Sequence, residues 1–143
     1  MPGDAAPGDV RRDVFEKIKQ LKPAFIRWPG GNVAQDYNWL WGVGPRDQRV
    51  TWSNLSWKNE PEPSDFGTDE FVAFARAAGA EPSITVNIEG RGATVEEAAA
   101  WVEYCNGPAT SKYGAMRAAN GHPAPFAVKF WEVGALLLLI VTC

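Results

Sequence analysis

Cysteine and histidine are almost absent from this chain, which has two cysteines, Cys105 and Cys143, and one histidine, His122, in 143 residues. Two cysteines so far apart, one in a predicted helix and one at the last position, supply neither a disulfide framework nor a clustered thiolate metal site. Cys105 reads as a small buried apolar group rather than a nucleophile. A single histidine leaves a Ser/His/Asp triad one choice of base, and within Gly121-His122-Pro123 it reads as a loop residue. A basic excess is missing too. The formal net charge is −3, with both signs mixed along the chain, so neither nucleic acid nor an anionic membrane is expected as partner. The apolar tail after Gly134 is far shorter than the roughly 20 residues of a membrane-spanning helix. The opening MPGDAAPGD has no basic start and no apolar stretch, so it is not read as a secretory signal. Localisation stays open, with a lean towards the cytoplasm.

Tryptophan, in contrast, is abundant. Seven are present, five of them between Trp28 and Trp57, in a chain whose hydrophobic share of 45% can bury the core of one ordinary domain. A connection so rich in aromatics offers flat apolar faces to a ligand, of which sugar rings are one kind.

The chain is organised around Ala24 to Asn32, AFIRWPGGN. A short apolar run carries Arg27 into Trp28-Pro29-Gly30-Gly31, which predicts a strand that stops abruptly and turns, with Asn32 just past its end. A buried guanidinium requires a carboxylate partner. The alternative is an edge strand whose arginine snorkels to solvent.

Upstream, Val10, Val14, Ile18 and Leu21 form one apolar stripe of a predicted helix capped by Asp9 and ended by Pro23. Downstream, residues 33–66 have glycines, prolines and most of the tryptophans but no clear periodicity, a pattern expected of a functional loop. A helix is predicted from Gly67-Thr68, with Asp69 and Glu70 in its first turn, Phe71, Val72, Ala75 and Ala78 inward, and Gly79 as its stop. Ser83 to Ile88 reads as a strand ending in a Glu89-Gly90-Arg91-Gly92 loop. Thr94 and Glu97 form a capping box for a helix with Ala98, Trp101, Val102 and Cys105 inward, closed by Asn106-Gly107-Pro108. A short helix near Tyr113 to Ala119 and a strand over Ala127 to Val133 complete the order. Strands alternating with helices predict an α/β fold of parallel βαβ units with both faces covered. Three such strands neither close a barrel nor fill a doubly wound sheet.

Arg27-Trp28-Pro29-Gly30-Gly31-Asn32, Tyr37-Asn38-Trp39, Gly44-Pro45-Arg46-Asp47-Gln48-Arg49, Phe66-Gly67-Thr68-Asp69-Glu70-Phe71, Val102-Glu103-Tyr104-Cys105-Asn106 and Phe130-Trp131-Glu132-Val133-Gly134 occur in this order. Together they resemble family 51 glycoside hydrolases, chiefly retaining α-L-arabinofuranosidases, from about Asp9 to Gly134. The resemblance implies a partial (β/α)8 TIM barrel, from its first helix through its fourth strand, over residues 1–134. It implies that the arginine matching Arg27 lies beside the catalytic nucleophile, that the asparagine matching Asn32 contacts the sugar, and that the tryptophan matching Trp57 lines the same pocket. It further implies arabinose-containing oligo- or polysaccharides as partners, homo-oligomers among full-length relatives, and no cofactor or metal.

Retaining hydrolysis uses two carboxylates about 5–5.5 Å apart. The family takes its acid/base from an Asn-Glu pair directly after the fourth strand, where this chain has Ala135-Leu136, so no catalytic residue is assigned. Glu89 and Glu132 are not expected to replace the pair. Residues 135–143 read as an apolar tail foreign to the fold, such as translation out of frame or through an intron. The expectation is thus part of an arabinofuranosidase, inactive alone. The alternatives are a non-catalytic carbohydrate-binding protein using Trp57 and a truncated product without function.

Overall fold

The computed structural model describes residues 5–88, 94–134 and 141–142. A two-residue pairing of β1 (Ala5–Ala6) with β2 (Val10–Arg11) precedes helix α1 (Arg12–Gln20). Strand β3 (Phe25–Trp28) leads to helix α2 (Asn32–Asp36), and β4 (Thr51–Asn54) pairs antiparallel with β5 (Glu60–Pro63) as a hairpin. Then come α3 (Thr68–Ala77), β6 (Glu81–Val86), α4 (Val95–Asn106), α5 (Lys112–Ala119), β7 (Phe130–Val133) and β8 (Val141–Thr142). The sheet has the order β3-β6-β7-β8. β3, β6 and β7 run parallel, and the backbone of Val141 and Thr142 pairs antiparallel with Trp131 and Phe130. The rest of the predicted tail, 135–140 and 143, lies outside the described residues, as does the loop of Glu89, Gly90, Arg91 and Gly92.

One face of the sheet is covered. Ile84, Val86 and Trp131 pack with Phe71, Val72 and Ala75 of α3 and Trp101, Tyr104 and Cys105 of α4 in one core. The register puts Arg27 opposite Ser83, Ser83 opposite Phe130 and Thr85 opposite Glu132, so these side chains share the other face with Phe25. Among the described residues that face is open, with a groove of about 310 Å³ running past Phe25, Ser83 and Phe130. The expectation of helices on both faces is corrected here.

Tryptophans bind the covered side together. Trp28 stacks on Phe71 with ring centres 5.4 Å apart, and Trp39 stacks on Trp101 at 6.1 Å. Tyr37, Trp41 and Trp52 meet one another at tilted or edge angles. Four of the five tryptophans from Trp28 to Trp57 are therefore core or core-flanking, and among them only Trp57, 54% exposed, presents itself to solvent. The aromatic richness of the segment is mostly packing.

Three local expectations change. Asp9 does not cap α1: it adopts φ 57°, pairs with Arg46 at 2.5 Å, and the helix starts after Arg11. The buried side of α1 runs through Phe15, edge-on to Phe74 of α3, and this rotation leaves Val14 and Leu21 exposed. Residues 33–66 are structured by α2, the hairpin and short 3₁₀ turns. The turns form because Asn38 Oδ1 accepts from Leu40 N–H and Asn54 Oδ1 accepts from Ser56 N–H, local bonds that leave no hydrophobic period. Elsewhere the pattern holds: Thr94 Oγ1 caps α4 by accepting from Glu97 N–H, Gly79 takes φ 81° after α3, and Cys105 is buried, its thiol pushed up by that burial. The strands predicted at 83–88 and 127–133 are observed as β6 and β7, shifted or shortened at their ends.

His122 meets Asp69 at 3.9 Å, and Tyr104 Oη donates to the same carboxylate at 2.9 Å. Burial pushes the Asp69 carboxyl above its usual range, against the hydrogen bond from Tyr104. The folded state therefore holds this proton more tightly than the unfolded state. The group favours folding most at low pH, and that contribution fades as pH rises from about 4 through the raised value. Asp69→Asn should accordingly raise the melting temperature at pH 7 relative to the parent, with the gap closing near pH 4. Thermal melts across that range check this, and a gap that widens on acidification contradicts it.

Candidate functional site

The candidate site is built where β3 ends. Gly30, at φ 111°, occupies a backbone region closed to most side chains, and Gly31 immediately precedes α2. Asn32, the first residue of α2, is exposed at the C-terminal end of the parallel strands. The turn Leu55–Trp57 at the tip of the hairpin packs against α2, so Trp57 and Asn32 lie on adjoining elements. Asn87 Nδ2 donates to Gln35 O at 2.8 Å and ties the end of β6 to the same helix.

Below them, three strands share one polar cluster. Arg27 Nη1 donates to Glu132 Oε2 at 3.0 Å, and Thr85 Oγ1 donates to the same oxygen at 3.2 Å. The Glu132 side chain is 15% exposed and that of Arg27 42%, so the carboxylate is the more buried member and the guanidinium reaches the open face. The carboxylate that pairs with Arg27 is Glu132, 105 residues later, but β3 stands at the edge of the described sheet and the arginine is exposed, so the alternative of an edge strand whose arginine reaches solvent also holds. The sequence indicated the type of partner but not its identity, since only the parallel register places β7 two strands from β3. Glu132 is occupied by these two donors, while Glu81, also on this face, lies at the opposite end of β6 and meets Lys129 at 3.3 Å. The arrangement can bind a neutral hydroxyl-bearing ring through a carboxamide, an indole face and a fixed guanidinium. It does not form a pair of free carboxylates.

The long connection is held to α3 by Arg49, whose side chain is 4% exposed. Its guanidinium donates to Gly44 O, Ser64 O and Asp65 O and, at 2.9 and 3.1 Å, to the two oxygens of Glu70. Burial opposes ionisation of Glu70, but Arg49 and the Gly67 N–H outweigh it and hold the carboxyl below its usual range. Gly67 lies so close to Gly42 O that a Cβ has no room there. Arg49 was not singled out from the sequence, and Glu132 was weighed there only as a replacement for a catalytic carboxylate. The signal available for Glu132 was a charge inside the apolar stretch Phe130-Trp131-Glu132-Val133, whereas Arg49, in Arg46-Asp47-Gln48-Arg49, carried none. His122, the sole histidine, belongs to the Asp69 cluster instead. No group of three or more His, Cys, Asp or Glu side chains suited to a metal occurs among the described residues, and no described helix is long and apolar enough to cross a membrane.

The Alpha-L-arabinofuranosidase 1 domain matches residues 17–137. Alpha-L-arabinofuranosidase C of Emericella nidulans is 46% identical over 124 residues, covering 87% of this chain and 24% of that protein. The intracellular exo-alpha-(1->5)-L-arabinofuranosidase of Halalkalibacterium halodurans is 39% identical over the same length. The structure of Thermotoga maritima alpha-L-arabinofuranosidase in its arabinose complex superposes with a TM-score of 0.83 at 43% identity, covering 90% of this chain and 26% of that one. The chain spans about a quarter of the length of the relatives it matches. With the domain match covering most of its residues and the fold agreeing, the chain belongs to the family 51 α-L-arabinofuranosidases.

Proposed function

We propose that this chain forms part of the (β/α)8 barrel of a retaining α-L-arabinofuranosidase that releases terminal α-L-arabinofuranosyl residues from plant oligo- and polysaccharides. Arg27, Asn32 and Trp57 then form one wall of the sugar pocket. The supporting observation is that the elements carrying Asn32 and Trp57 pack on each other after the C-terminal end of a parallel strand whose Arg27 pairs with Glu132, the end at which barrels of this kind place their sites. In this reading β3, β6 and β7 are the second, third and fourth barrel strands, and the open face is the barrel interior.

Glu132 is a positioning group here, its Oε2 accepting from both the Arg27 guanidinium and the Thr85 hydroxyl. Hydrolysis with retention needs two carboxylates about 5–5.5 Å apart, one as acid/base and one as nucleophile. Trp57 supplies a flat apolar face for the ring, and Asn32 can both donate to and accept from sugar hydroxyls. The purified 143-residue polypeptide is accordingly expected to leave an aryl α-L-arabinofuranoside unhydrolysed. Release of the aryl alcohol, abolished by changing one of the chain's own carboxylates, contradicts the proposal.

A further inference from the structure

We infer that Thr85 is a positioning residue: its hydroxyl, acting through Glu132, holds the Arg27 guanidinium in one orientation on the open face of the sheet. Arg27 and Glu132 stand on β3 and β7, two strands apart, which separates their backbones by roughly 10 Å. Only long side chains lying across β6 close that distance. β6 makes room for them with two small residues, Ser83 and Thr85, which its alternation places on the same face. On a face that is otherwise open, Ser83 is 4% exposed and Thr85 fully buried, as residues beneath such a bridge are.

The ion pair alone is a poor clamp. One guanidinium N–H on one carboxylate oxygen, partly in water, gains little over the cost of holding two long side chains still. Thr85 supplies the missing constraint. Its branched Cβ restricts χ1, so the buried hydroxyl is a fixed point. An ionised carboxylate only accepts, so toward Glu132 that hydroxyl is the donor. It donates at 3.2 Å to the same Oε2 that accepts from Arg27 Nη1 at 3.0 Å, and this shared oxygen joins β3 to β6 and β7. With Nη1 committed there, Nε and Nη2 make no hydrogen bond among the described residues. The guanidinium therefore presents its remaining donors in one direction, the condition under which a binding group keeps its aim.

That Arg27 faces a sugar rests on the function proposed above; the chain of bonds from Thr85 to Arg27 does not. In nuclear magnetic resonance the two Nη signals of a held guanidinium are separate, and those of a freely turning one merge. In the 143-residue chain, separate Arg27 signals are expected, assigned by their loss in Arg27→Lys. Merged signals are expected in Glu132→Gln and in Thr85→Val, which keeps the shape of the side chain but removes the donor. Thr85→Ser, which keeps the donor, should restore the separation. Merged signals in the parent, or signals in Thr85→Val as separate as the parent's, overturn the inference. The same variants are then placed in a chimera in which residues 17–134 of this chain replace the matching part of the Thermotoga maritima enzyme. There Thr85→Val should lower kcat/KM about tenfold or more, the scale of a misaligned group at a reacting centre, with the loss recovered in Thr85→Ser and the melting temperature little changed. An active chimera indifferent to Thr85→Val also overturns the inference. A chimera without activity contradicts the proposed function alone, because the guanidinium signals still decide the role of Thr85.

Discussion

Replacing Arg49 by alanine is expected to destabilise the chain by about 3–5 kcal/mol, the cost of removing one partner of a buried, fully bonded charge pair. The reason is the number of groups left stranded. The Glu70 carboxylate loses both of its bonds to Arg49 and keeps only the Gly67 N–H and the Arg46 guanidinium at 3.4 Å, and Gly44 O, Ser64 O and Asp65 O lose their donor. Arg49→Lys keeps the charge but not the planar fork, so it can serve only part of this set and should fall between the parent and alanine. Chemical denaturation with the midpoint and slope measured separately checks the prediction. A loss below about 1 kcal/mol for alanine, the value of an exposed ion pair, would mean that the segment from Gly44 to Asp65 is not anchored through this side chain.

Trp101→Ala should cost a similar amount, about 3–5 kcal/mol, as large aromatic truncations in a core do. Trp101 is 2% exposed, stacks on Trp39 and meets Trp28, Tyr37 and Trp131 with its edges or faces. Its indole N–H also donates to Thr68 Oγ1 at 3.0 Å, joining α4 to the start of α3. Trp101→Phe keeps much of the ring contact but strands the Thr68 hydroxyl, so a loss of about 1–3 kcal/mol is expected. Equal losses for the two variants would assign the whole effect to the hydrogen bond. A negligible loss in both would remove Trp101 from the centre of the core.

Whether an element could be read from the sequence followed from what stabilises it. Helix α4 carries its cap and its apolar face in contiguous residues, so Thr94 with Glu97 and the Trp101–Cys105 spacing were sufficient. The helix α3 and the parallel strands were legible for the same reason. Residues 33–66 were not, because their turns close through Asn38 and Asn54 side chains and their anchor is a single arginine reaching to another helix. Composition pointed to a ligand platform in the tryptophans, yet four of the five pack inward, since an aromatic count carries no information on which side a ring faces. Asp9 shows the same limit. It has the chemistry of a helix cap, but Arg46, 37 positions later, draws it away.

At the site, the AFIRWPGGN stretch was informative because a charge next to Pro-Gly-Gly requires both a turn and a partner. The need for a carboxylate was legible and its identity was not. Glu132 had the appearance of an ordinary in-strand charge, and only the β3-β6-β7 order brings it to Arg27.

The central proposal is that Asn32, on a helix adjoining the turn that carries Trp57, recognises an arabinofuranosyl ring. It is tested most directly in a chimera in which residues 17–134 of this chain replace the matching part of the Thermotoga maritima enzyme. The chimera should hydrolyse an aryl α-L-arabinofuranoside. Asn32→Ala in that background should lower kcat/KM on the order of 10²-fold, the scale of losing one aimed donor in an active site, with the melting temperature little changed. A folded chimera without activity, or one whose kcat/KM is unaffected by Asn32→Ala, would contradict the account.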